Sequence, residues 1–145
     1  MTYASAIVGQ AAGGWAASSR RPLAWLVGIG FVYTVALLLM GLAKGVPVLA
    51  AGMLFASCYF ASQPITNMLV ARTCSGEKHG MMYGIYFTVG FGVGSLAPLV
   101  TGLLSGKGSL ASVFLMLVVA GAGALILRIV LLKTAGPLTT MSGRR

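Results

Sequence analysis

Hydrophobic and polar positions divide the chain into five long apolar runs separated by short polar breaks. The runs cover about residues 1–19, 23–43, 48–70, 81–104 and 110–132. A run of 21 residues such as 23–43 reaches roughly 31 Å as a helix, one hydrocarbon core. Arg20, Arg21 and Pro22 end the first run, and Lys44, Gly45 and Pro47 make a turn after the second. Arg72–Gly80 (RTCSGEKHG) is the longest internal polar segment, Ser105–Ser109 is a second turn, and 134–145 is a polar tail. The pattern predicts an all-α membrane protein of five transmembrane helices in one domain, residues 1–133, with the tail on the cytoplasmic side. Short connections make neighbouring helices antiparallel.

The runs differ in kind. The second and fifth are plainly apolar. The first carries Gly9 and Gly13 at GxxxG spacing. The fourth carries Gly84 and then Gly90, Gly94, Pro98 and Gly102 at four-residue steps. In water such glycines weaken a helix, each by up to about 1 kcal/mol relative to Ala. In lipid they let a second helix come close, so these positions are read as helix-packing surfaces.

The third run is polar in its later half. Tyr59, Gln63, Thr66 and Asn67 lie at i, i+4, i+7 and i+8 and therefore share one helix face. Polar side chains at bilayer depth are costly and mark functional surfaces by default. The competing account is simple hydrogen bonding to a neighbouring helix, worth about 0.6 kcal/mol. Pro64 cannot donate to the Phe60 carbonyl, which predicts a bend there. Gln10 in the first run is a further candidate for the same cavity.

Composition fixes the class. Only 8% of residues are charged and 58% are hydrophobic, whereas soluble domains are about 25% charged; too few polar side chains exist to form a solvated shell. The net charge of +9 is not a nucleic-acid footprint, because the basic residues stand in ones and twos between apolar runs. It reads as topology. With the N-terminus outside, Arg20, Arg21, Arg72, Lys78, Arg128, Lys133, Arg144 and Arg145 fall on the cytoplasmic side and Lys44 and Lys107 outside, a strong positive-inside bias. Arg128, near the inner end of the last run, is read here as snorkelling to the cytoplasmic face, leaving no ionised group at mid-depth.

Glu77, the one acidic residue, sits beside Lys78 in the polar loop and is read as part of a solvated ion pair. Cys58 and Cys74 form no disulfide framework, and a lone His79 offers no metal-ligand spacing. No nucleophile–base pair or phosphate loop is present, so neither cofactor nor catalysis is expected.

Three segments, in order, and the layout of the helices resemble the C-terminal portion of a major facilitator superfamily transporter. GGWAASSRRPLAWL is similar to the short basic loop between that family's eighth and ninth helices. Gly14 and the pair Arg20–Arg21 match, but Ser18 stands where the family has Asp, so its charge relay is not carried over. PITNMLVARTCSGEKHGMMYG resembles the tenth helix running into the eleventh. GVGSLAPLVTGLLSGKGSLASVF resembles the eleventh helix and its turn into the twelfth. The layout of plain, polar and glycine-rich helices follows the same order.

The resemblance implies helices eight to twelve of twelve, a partial six-helix bundle in the plasma (inner) membrane. It further implies alternating access for a small-molecule solute, and a partner that this chain lacks, the N-terminal bundle. Two alternatives stand beside it: a small membrane protein that oligomerises through the glycine stripe, and an accessory membrane subunit without transport activity of its own.

Overall fold

The computed structural model describes residues 2–107 and 110–139. Among these it is helical throughout: α1 (Thr2–Ala17), α2 (Pro22–Leu42), α3 (Val46–Thr73), a 3-10 turn (Gly76–Lys78), α4 (His79–Ser95), α5 (Ala97–Lys107) and α6 (Leu110–Thr139). Pro22 and Pro47 open α2 and α3 in the first turn, where a missing N–H costs nothing. Gly45 precedes α3 with φ 69°, a conformation that its lack of a side chain permits.

Four stretches are long and apolar enough to cross a membrane: Pro22–Leu42, Val46–Thr73, Gly76–Leu103 and Val113–Thr134. The expected fifth, α1, has 16 residues and spans about 24 Å, short of a hydrocarbon core. Helix α6 also runs further than the apolar run, to Thr139; the rest of the expected tail, 140–145, lies outside the described residues, as do 108–109 of the second turn.

Helix α1 lies along α3 and runs parallel to it. A methyl group on Gly9 would overlap the Ser57 carbonyl oxygen, and one on Gly13 that of Ala61, with the carbonyl carbons 2.8 Å away in both cases. Ala6, Ala16 and Ala17 complete the buried stripe. The two backbones touch because nothing intervenes. The Ser57 hydroxyl also donates to the Ser5 carbonyl of α1 at 3.0 Å. Below this contact Ala16, Ala17, Leu26 and Ile65 form a small apolar core, with Ile65 fully buried.

Helices α2 and α6 pair antiparallel. Gly30 of α2 receives Arg128, Gly41 receives Phe114, and Gly121 of α6 receives Tyr33, Thr34 and Leu37. Helix α3 continues through Pro64 without a break. Nearby, the Ser62 and Thr66 hydroxyls donate to the Tyr59 and Ser62 carbonyls at 2.7 and 2.9 Å.

The glycine-rich fourth run is not one uninterrupted helix. Pro98 has no N–H for the Gly94 carbonyl, and α4 gives way to α5 at Leu96, whose N–H turns to Val93 at 3.2 Å. No residue of α4 is buried. The segment meets α6 through α5, and it meets α3 near the start of α4. There the Tyr83 hydroxyl donates to the Asn67 carbonyl of α3 at 2.7 Å.

Candidate functional site

Period and polarity put Tyr59, Gln63, Thr66 and Asn67 on one face of α3, and that face lines a cleft of about 500 Å³. Leu26 of α2, Tyr86, Phe87 and Phe91 of α4 and Arg128 of α6 close its other sides. Among the described residues the Gln63 and Asn67 side-chain amides have no hydrogen-bond partner. They are not spent on holding a neighbouring helix, and both residues line the cleft.

Aromatic rings furnish the walls. Tyr83, Phe87 and Phe91 stack in steps of four along α4, with centroids 6.2 and 5.8 Å apart. Phe55 stacks on Tyr59 at 6.1 Å and meets Tyr33 edge-on at 6.0 Å. A polar strip flanked by rings suits a molecule with one apolar and one polar end.

Arg128 departs from its expected position. Its guanidinium does not turn toward the helix end: a terminal nitrogen donates to the Leu26 carbonyl at 3.4 Å, and the guanidinium carbon lies 5.2 Å from the Tyr33 ring centroid. The same nitrogen would be 2.5 Å from a methyl group on Gly30. Gly30 is eight residues inside Pro22, about 12 Å along α2, and twelve residues from Leu42. The charge therefore sits level with the middle of α2, drawn there by the bare surface that glycine leaves.

An Arg at the centre of a spanning helix costs about 2.5–3.5 kcal/mol on insertion scales. One ring contact returns about 0.5–2 kcal/mol and one long hydrogen bond little more. The sequence signal for this residue was weak, since Arg128 lies near the end of an apolar run. The glycine opposite it becomes visible only once α2 and α6 are paired.

The remaining predicted positions fall elsewhere. Gln10 is exposed on α1 and does not line the cleft. Gly9 and Gly13 lie against α3, as above. Gly84, Gly90, Gly94 and Gly102 have open space where a side chain would be, Pro98 is exposed, and Gly90 borders the cleft. Arg20 and Arg21 in the α1–α2 connection, Arg72 in the last turn of α3, and Glu77 and Lys78 in the α3–α4 connection are all exposed, at one end of the helices. There His79 tethers the loop: Nε2 lies 2.9 Å from the Ala71 carbonyl and 3.0 Å from that of Cys74. Both partners are acceptors, so Nε2 carries the proton. Among the described residues no three His, Cys, Asp or Glu side chains gather as a metal site would require.

Comparison with protein-family models, curated proteins and solved structures finds no match to this chain.

Proposed function

We propose that the chain is the C-terminal part of a secondary transporter of the major facilitator type, five helices of a six-helix bundle that carries a small solute by alternating access. In this reading α1 rises beside α3 as the first of the five. The N-terminus lies outside, and the Arg-rich connections lie on the cytoplasmic face of the plasma membrane.

One observation carries the reading. The polar face of α3 spends none of its side-chain amides on packing and instead opens, along the second half of the helix, into a cleft walled by three other helices. Such a surface is costly in lipid unless water or a solute meets it. The open glycines of α4 and α5 support it from another side, since they leave a stripe for the N-terminal bundle to cover.

Oxidative cross-linking tests the reading. In a Cys58→Ser, Cys74→Ser background, Gly94→Cys in native membranes yields no specific homodimer if the stripe belongs to an N-terminal bundle. A specific disulfide-linked dimer would contradict the proposal and make the stripe a seam between copies of the chain.

A further inference from the structure

We infer that the cleft binds an oxyanion, a carboxylate or phosphate group on an otherwise apolar molecule, with Arg128 as its anchor. The inference names the substrate class of the cleft and so rests on the transporter reading for its physiological sense. Its binding test nonetheless stands apart from the cross-linking test of that reading.

Three features of the cleft converge. The guanidinium offers five N–H donors in a fixed fork, of which one meets the Leu26 carbonyl at 3.4 Å. Arg128 borders the cleft, so further donors are available to whatever enters it. No carboxylate in the spans balances this charge: the sole acidic side chain of the chain, Glu77, is exposed in the 3-10 turn between α3 and α4.

The neutral partners of Arg128, the Leu26 carbonyl and the Tyr33 ring, leave the positive charge uncompensated. The Tyr33 ring covers one face of the guanidinium, and the planar fork is of the kind that binds an oxyanion in bidentate fashion. Gln63 and Asn67, whose amides carry further N–H donors, line the same cleft, while Tyr59, Phe87 and Phe91 accommodate an apolar or aromatic body. A cation would meet like charge at the centre of the site, and a neutral molecule would leave the charge unpaired. The oxyanion could belong to a soluble organic acid or to a lipid headgroup, which the chemistry of the anchor does not distinguish.

The test uses the full chain in phosphatidylcholine nanodiscs, with 19F NMR titration of three probes of one shape: 4-fluorobenzoate, 4-fluorobenzyl alcohol and 4-fluorobenzylamine. The expected result is binding of the benzoate about ten-fold tighter than of the alcohol, as for a charge-assisted hydrogen bond, and no binding of the amine. Arg128→Gln abolishes the preference at unchanged helical circular dichroism, and Arg128→Lys keeps its sign. Adding phosphatidylglycerol to the discs separates the sources. A preference that persists assigns the site to a soluble organic acid. Displacement of the benzoate, with phosphatidylglycerol retention that depends on Arg128, assigns it to a headgroup. Equal affinity for the three probes in the unsubstituted chain, or the same preference in Arg128→Gln, overturns the inference; the first of these needs no variant to fold.

Discussion

The guanidinium carbon of Arg128 stands 5.2 Å from the centroid of the Tyr33 ring, across the seam where α6 crosses α2. This contact holds a charge inward that would otherwise turn to the helix end. Tyr33→Leu should destabilise the bundle by about 1 kcal/mol, the worth of a part-buried cation–π contact, whereas Tyr33→Phe, which keeps the ring, should cost much less. Equilibrium unfolding in mixed micelles measures both. Equal losses would assign the effect to the hydroxyl instead.

The same spacing of glycines does opposite things in two helices. A methyl group at Gly13 would strike the Ala61 backbone, which cannot move aside, while Gly14 next to it has nothing within 4 Å. Gly13→Ala should therefore cost about 2 kcal/mol or more, and Gly14→Ala should stay within about 0.5 kcal/mol. Thermal unfolding of the two variants in one detergent makes the comparison.

On α4 the prediction reverses. Gly84→Ala and Gly94→Ala add a methyl group to open space and should leave the stability of this chain unchanged within about 0.5 kcal/mol. If an N-terminal bundle covers the stripe, the same variants weaken its association. Unfolding and co-purification, read on the same variants, separate the two effects.

Two hydrogen bonds tie α4 to α3: His79 on the Ala71 carbonyl at its first residue, 2.9 Å, and one turn on the Tyr83 hydroxyl on the Asn67 carbonyl, 2.7 Å away. Tyr83→Phe removes a hydrogen bond worth about 1 kcal/mol. Faster amide hydrogen exchange is expected in α4, from His79 toward Gly90, with α1 and α2 unaffected. Uniform acceleration across the chain would show that α4 is not a separate unit.

Much of the cleft was legible in the sequence. The i, i+4, i+7, i+8 spacing of Tyr59, Gln63, Thr66 and Asn67 already specified a shared face, because helix period alone decides it. Arg128 was not legible. Snorkelling is the ordinary outcome for an Arg one turn from the end of an apolar run, and only the pairing of Gly30 with Arg128 reverses it.

Glycine spacing likewise marked both α1 and α4 as contact surfaces without saying which contact lies within the chain. That depends on tertiary pairing, not on period. The break at Leu96 was implicit in Pro98. The short reach of α1 was not apparent, because Met1–Ser19 is uncharged throughout and only Ser18, at the end of α1, shows where the helix stops.

The central claim is that the later half of α3 meets water in a positively charged cleft. Thiol reactivity tests it most directly. Gln63→Cys, in the Cys58→Ser, Cys74→Ser background, is exposed to two membrane-impermeant methanethiosulfonates, one bearing a sulfonate and one a trimethylammonium group. Rates are normalised to a free thiol. The account predicts that both react, with the sulfonate favoured, and that Arg128→Gln removes the preference. No reaction at Gln63→Cys, or a preference indifferent to Arg128, would contradict it.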